Sequence, residues 1–156
     1  MTAIAGVHVA SFVAAHRGLI PLDQVTVQRR EAAWREILVA PPGDGATLVA
    51  ELEGRVVGFC HLATSGRDAD ADHATAELTA IYVDPKEWRS GTGTALLDAA
   101  LEDLGAGGWK ELTLWVLAAN DRARSFYEAS GLATDGVEKT HQSSGQLEVR
   151  LRRPIR

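Results

Sequence analysis

The sequence predicts a single mixed α/β domain built on one central sheet. Three observations predict it. Helical and strand-like patterns interleave in the order α-α-β-β-β-α-β-α, and further β runs close the chain. No internal repeat or low-complexity linker divides the 156 residues, a length at which one domain buries roughly two thirds of its unfolded surface. Hydrophobic residues make up 46% and charged residues 24%, enough for a packed core under a solvated surface.

Each element has a local cause. Residues 4–16 carry apolar side chains at helical spacing, and Gly18 and Pro21 of "RGLIP" end that segment. Its apolar content resembles the core of a signal peptide, but it lacks the basic start and carries His8 in the middle. It therefore reads as a helix, and the protein as cytoplasmic. A second helix is expected over "QRREAAWREILVA", with Trp34, Ile37 and Leu38 on one face, and "PPGDG" at 41–45 ends it. "TLVAELEGRVVGFCHLAT" reads as two β runs folded about Glu53 and Gly54. The acidic "SGRDADAD" reads as a solvated hairpin loop, because Asp68, Asp70 and Asp72 lack the glycine and distal glutamate of a calcium loop.

"ATAELTAIYV" is a strand rich in β-branched and aromatic residues. Leu96, Leu97, Ala100, Leu101 and Leu104 then mark one face of a helix that "GAGG" stops. "ELTLWVL" at 111–117 is a further strand. "NDRARSFYEAS" is a short helix with Asn120 or Asp121 as its cap and Gly131 at its end. Two β runs occupy 132–151.

Composition narrows the function classes. A net charge of −5 argues against non-specific nucleic-acid binding, and the basic end "VRLRRPIR" is too short to overturn that. No apolar run approaches the ~20 residues that span a bilayer, so no membrane partner is expected. The single cysteine, Cys60, excludes an internal disulfide and a cysteine-based zinc site, and its apolar setting predicts a buried, inert thiol. His8, His16, His61, His73 and His141 are scattered without metal-like pairing, so no metal is expected. His16 and His61 are the two that could reach a bound acceptor.

The stretch "VDPKEWRSGTGTALLDAAL" carries the chemistry. A strand runs into a turn with Gly91 and Gly93, and the turn opens a helix. The first N–H groups of a helix lack internal partners and sit at its positive end, so such a junction can bind an anion. Arg89, Ser90, Thr92 and Thr94 can add side-chain donors. The same glycines also suit an ordinary turn. A dinucleotide fingerprint and a P-loop are both excluded, since the third glycine and the Gly-Lys-Ser/Thr run are absent.

Spacing adds a resemblance. Val83, Pro85, Trp88, Gly91 and Gly93 fall at the intervals of the central motif of the GNAT superfamily of acyl-CoA-dependent N-acyltransferases. Trp88 departs from it, standing where arginine or glutamine is usual, which leaves open whether Arg89 supplies the charge. A second block, Asn120, Ala123, Phe126, Tyr127, Gly131 and Leu132, matches the family's later motif. "VHVASFVAAHRGLIP" looks like the first helical segment of one bacterial branch. The resemblance covers nearly the whole chain but lacks the strand that usually precedes that helix.

The resemblance implies a mixed sheet splayed at the cofactor site, with helices on both faces and the first strand missing. It implies an N-acetyltransferase moving the acetyl group of acetyl-CoA directly to a primary amine of a small molecule or peptide. The cofactor arm would run along Ile81, Tyr82 and Val83, and the pyrophosphate would rest on the N–H groups of residues 89–94. Asn120 would contact the cofactor or cap its helix. Tyr127 would protonate the departing thiolate, with Phe126 the better core residue. Glu77 would be the base, sharing a strand face with Ile81 and Val83 if no bulge intervenes. The acceptor would be set by the two N-terminal helices and the loops at 41–46, 65–73 and 133–146. Acid in "GRDADAD" would favour a cationic acceptor. Homodimers are common in the family, so a second copy is one expected partner. The alternative is a GNAT fold kept as a non-catalytic CoA-binding regulatory module.

Overall fold

The computed structural model describes residues 1–39, 45–63 and 68–156. The chain begins with two helices, α1 (Thr2–His16) and α2 (Val27–Leu38). An antiparallel hairpin follows, β1 (Gly45–Leu52) and β2 (Arg55–Ala63), and then β3 (Thr75–Val83). After a single 3-10 turn at Pro85–Glu87 come α3 (Thr92–Ala106), β4 (Glu111–Leu117), α4 (Asp121–Ala129), β5 (Ala133–Thr140) and β6 (Leu147–Pro154). The six strands form one sheet in the order β1-β2-β3-β4-β6-β5. Only β3 and β4 run parallel; the other neighbours are antiparallel. Among the described residues no strand precedes α1.

Local signals act where the sequence places them. Glu53 and Gly54 both adopt left-handed backbone (φ 51° and 76°), the twist a two-residue hairpin needs. Thr26 caps α2 by accepting the Arg29 N–H, and Asn120 Oδ1 caps α4 by accepting the Ala123 N–H at 3.1 Å. In α2 only Trp34 is buried, while Ile37 and Leu38 are exposed, so the expected three-residue apolar face narrows to one. The helix-ending Pro41 to Asp44 and the loop residues Thr64 to Arg67 lie outside the described residues.

Two apolar layers sandwich the sheet. On one face Leu96, Leu97, Ala100 and Leu104 of α3 pack with Cys60, Leu62, Ala76 and Leu78, joined by Leu112, Leu114 and Leu151. Each fully buried leucine there contributes about 2 kcal/mol. Cys60 is buried, and burial pushes its thiol up to about 11, so it is inert at neutral pH. On the other face α1 and α2 close over Phe59 with Ile4, Val7 and Trp34.

Two irregularities shape the site. β3 and β4 pair only over Thr75–Glu77 and Glu111–Thr113, although both strands continue beyond. The sheet therefore splits between them. In β3 the register passes from Leu62↔Leu78 to His61↔Ala80, leaving Thr79 as an extra, bulged residue.

Candidate active site

The bulge reverses the side-chain alternation of β3. Ala76 and Leu78 face α3 before it, and Ile81 and Val83 face α3 after it. Ala80 and Tyr82 face α1 and α2. Glu77, buried beside the point where the strands part, therefore shares a face with Tyr82 and not with Ile81 and Val83. The expectation that residues 77, 79, 81 and 83 share one face fails for this reason. The Tyr82 side chain is turned in the same way. Its ring stacks on His8 at 4.3 Å and packs by Phe59, away from the glycine turn, and burial pushes its phenol up to about 12.

Beyond Glu77, one edge of β3 faces the split. The Asp84 N–H donates to Val57 O across β2, so alternation turns the peptide groups of Val83 and Ile81 the other way. The Val83 carbonyl there accepts the Trp88 indole N–H at 2.8 Å. Ile81 and Val83 line a cavity of about 370 Å³ with Arg89, Gly91, Gly93, Thr94, Asn120, Arg122, Phe126 and Tyr127.

The floor of this cavity is the opening of α3. Gly91 is the N-cap residue, at φ 87°, and no side chain caps the helix. The first helical bond is Ala95 N–H to Gly91 O, so the N–H groups of Thr92, Gly93 and Thr94 have no partner within the helix. A Cβ on Gly93 would meet the Phe126 ring at 3.4 Å, so glycine lets α4 close on the turn. Arg89 is also left-handed, at φ 65°, a conformation that costs a non-glycine residue about 1 kcal/mol. Two of the expected hydroxyl donors are used otherwise. Ser90 Oγ donates to Glu87 O at 2.6 Å and meets Thr92 Oγ1 at 2.9 Å, so both hydroxyls close the turn, and neither residue lines the cavity.

The rim charge comes from a residue the sequence reading missed. Arg122, in the first turn of α4, lays its guanidinium 3.3 Å above the Trp88 ring. Burial, and then the neighbouring Arg89, lower its pKa, so two cations converge there. The sequence signal was only its place two residues after Asn120. The acidic rim residues are neutralised from outside, since Arg55 pairs with Asp84 at 3.5 Å and Glu87 at 3.1 Å.

A second cavity of about 250 Å³ occupies the split itself, lined by Ala15, His16, Thr79, Ile81, Asn120, Tyr127, His141 and Glu148. A third, of about 650 Å³, lies under α1 and α2 and is lined by His8, Phe12, Arg30, Trp34, His61 and Tyr82 among others. The split cavity shares Ile81, Asn120 and Tyr127 with the cavity over the glycine turn, and Phe12, Tyr82 and His141 with the third. Sharing these residues, the three cavities adjoin as a trough across the sheet. Tyr127 stands where the first two meet, and burial pushes its phenol up, so it keeps its proton. Phe126, expected in the core, packs against it half-buried and also lines the cavity over the glycine turn beside Tyr127. Asn120 spends Oδ1 on its helix cap and keeps its amide donors beside both cavities. Glu77 is not among the lining residues of the three. In His16, Nδ1–H donates to Phe12 O at 3.0 Å, which leaves Nε2 unprotonated at the split.

The acidic loop does not reach this trough as free charge. Asp68 and Asp70 bind Arg150 of β6, with Asp70 gripping both terminal nitrogens at 2.6 and 2.7 Å. Asp72 accepts the Ala74 N–H at 2.8 Å and the Thr75 hydroxyl at 2.9 Å. The solvated loop expected here is, over its described residues, tied to the sheet, and much of the stretch 133–146 is strand β5 rather than loop. Among the described residues no helix is long and apolar enough to cross a membrane.

This geometry has close counterparts. A family model described as the acetyltransferase (GNAT) family matches residues 15–132. An uncharacterized N-acetyltransferase of Mycobacterium tuberculosis is 32% identical over 137 residues, covering 86% of this chain and 74% of that protein. A mycothiol acetyltransferase of Acidimicrobium ferrooxidans is 34% identical over 113 residues, 72% of this chain, and the match spans only 34% of its own length. The fold matches that of a PaiA N-acetyltransferase from Thermoplasma acidophilum, solved in complex with coenzyme A, with a TM-score of 0.75 and 20% identity over 94% of this chain and 88% of that one. With the split sheet, the glycine-opened helix and the 118-residue family match all in one chain (15 to 132 inclusive), the protein belongs to the acetyltransferase (GNAT) family.

Proposed function

We propose that this chain is a cytoplasmic N-acetyltransferase that moves the acetyl group of acetyl-CoA to a primary amine within a ternary complex. The observation that carries this reading is the trough of adjoining cavities. It offers an anion cradle at one end, Tyr127 in the middle and an acceptor-sized cavity at the other. The residues present fit CoA. Open space over Gly91, the unpartnered N–H groups of α3 and the Arg89–Arg122 pair suit a pyrophosphate. The unpaired edge of β3 suits the amides of a pantetheine arm.

Acetyl-CoA supplies an acetyl group activated as a thioester. The Ile81 N–H, turned to the split, polarises the carbonyl as an oxyanion-hole donor does. Tyr127, protonated at neutral pH, donates its proton to the departing sulfur as the amine nitrogen takes the acetyl carbon. Glu77, on the acceptor face but behind the cavity wall, takes the amine proton through water. His16, with Nε2 free at the split, is the direct alternative to it.

Two variants test the reading in one experiment. Gly91→Asp introduces a side chain and a negative charge into the cradle, and is expected to weaken CoA binding more than a hundredfold in calorimetry without unfolding the domain. Tyr127→Phe is expected to keep CoA affinity and lower kcat by about a hundredfold or more. Retained CoA affinity in Gly91→Asp would sink the cradle. CoA binding without turnover of any amine would favour the non-catalytic module.

A further inference from the structure

The large cavity under α1 and α2 has a polarity of its own. Arg30, on α2, is half-buried and lines it. Among the described residues Arg30 has no hydrogen bond and no ion pair; it lies 5.5 Å from the Phe12 ring centroid. Around it stand imidazoles. Trp34 donates its indole N–H to His8 Nδ1 at 2.9 Å, so a neutral His8 must carry its proton on Nε2 and can only donate from there. His8 is neutral at physiological pH, because burial above all, then Arg30 and His16, hold its pKa down to about 3. The one described carboxylate on the wall, Asp23, is exposed and accepts from Gln24 at 3.1 Å. Asp68 and Asp70 of the acidic loop are bound to Arg150 and do not line this cavity.

Among the described residues no carboxylate pairs with Arg30, Asp23 included, and a guanidinium facing a cavity in that state lacks its natural partner. We propose that this cavity selects an amine acceptor that also carries a carboxylate, an amino-acid-like molecule, with Arg30 binding the carboxylate and His8 Nε2–H adding a second donor. This rests on the acetyl-transfer reading above. It runs opposite to the cationic acceptor that the acidic loop suggested from sequence. A polyamine or an aminoglycoside would bring like charge to Arg30 and leave the guanidinium unpaired. An amino acid would supply both the nucleophile for the split and the anion for α2. Arg30 in this role is a specificity-determining residue.

Matched pairs test it, each differing only in carboxylate against carboxamide: L-phenylalanine with L-phenylalaninamide, and L-alanine with L-alaninamide. At saturating acetyl-CoA the acids are expected to exceed their amides at least tenfold in kcat/KM. The amides hold more of their amine neutral, which works against that outcome and makes it the more telling. Arg30→Gln is expected to erase the preference by raising KM for the acids, and Arg30→Lys to restore part of it. Calorimetric binding of N-acetyl-L-phenylalanine against N-acetyl-L-phenylalaninamide reads the same cavity without turnover. Preference for the amides or for spermidine, or an Arg30→Gln enzyme that still discriminates, overturns the inference while leaving acetyl transfer intact. Failure of the chain to bind CoA at all overturns the acetyl-transfer reading instead.

Discussion

Arg150 and Arg122 are both held by the fold, and they are held in opposite ways. Arg150 on β6 is buried among three carboxylates, with Nε 2.7 Å from Asp135, a two-pronged grip on Asp70 and a contact to Asp68. Those hydrogen bonds raise its pKa further, and every partner it has lies within the protein. Arg122 at the mouth of the split has no ion pair among the described residues. It lies on the Trp88 ring with Arg89 near enough to lower its pKa. A cation whose partners are all built in fastens a loop to a sheet. A cation oriented by an aromatic ring and set beside a like charge is arranged for an anion that comes from elsewhere.

Removing each arginine breaks or sharpens that contrast. Arg150→Ala leaves Asp68, Asp70 and Asp135 facing one another, and is expected to cost about 3 kcal/mol of stability. Thermal denaturation should read this as a Tm lower by roughly 6–12 °C, with CoA affinity little changed. Arg122→Ala should do the reverse, weakening CoA binding by about tenfold in calorimetry and leaving Tm nearly where it was. If Arg122→Ala unfolded the domain instead, the contrast between the two arginines would collapse.

The smallest effect is on pH. Asp70 titrates at about 2 in the folded chain against 3.8 unperturbed, chiefly through its hydrogen bond from Arg150. A carboxylate with its folded value depressed contributes stability that is present above the unfolded value and is lost as pH falls through the folded one. Native stability should therefore decline as pH drops from about 5 to about 2, and the decline should be shallower in Arg150→Ala. Urea denaturation across that range checks it. An unchanged slope in the variant would mean the acid sensitivity arises elsewhere.

The strands, helices and caps were legible in the sequence because their causes are local. Glu53-Gly54, the leucine stripe of α3 and the Asn120 cap each act over a few residues, and each acts where it was read. The glycine turn was legible too, since φ at Gly91 and the bare helix end follow from the turn itself. The site was legible only in part. Gly91, Gly93, Thr94, Asn120 and Tyr127 converge on one cavity with Ile81, Val83 and Arg89. The Tyr82 ring lies on the opposite face against His8, and Ser90 and Thr92 turn their hydroxyls to the turn itself. Arg30 and Arg122 enter from helices whose faces the pattern of apolar residues alone did not orient toward a cavity.

By itself the sequence determined a mixed α/β domain, a glycine turn that opens a helix without a side-chain cap, and a tyrosine on the short helix downstream. All of these depend on short-range backbone geometry and on residue spacing along the chain. Only the tertiary structure decided what faces what. One bulged residue, Thr79, sends Glu77 and Tyr82 to the acceptor side. Asp68 and Asp70 are drawn to Arg150, eighty and more residues away in the chain. Arg30 lines the cavity under α1 and α2 with no ion pair among the described residues. Strand register and charge pairing are settled by competition between distant segments for the same partners, and the outcome is written in no single stretch of the chain.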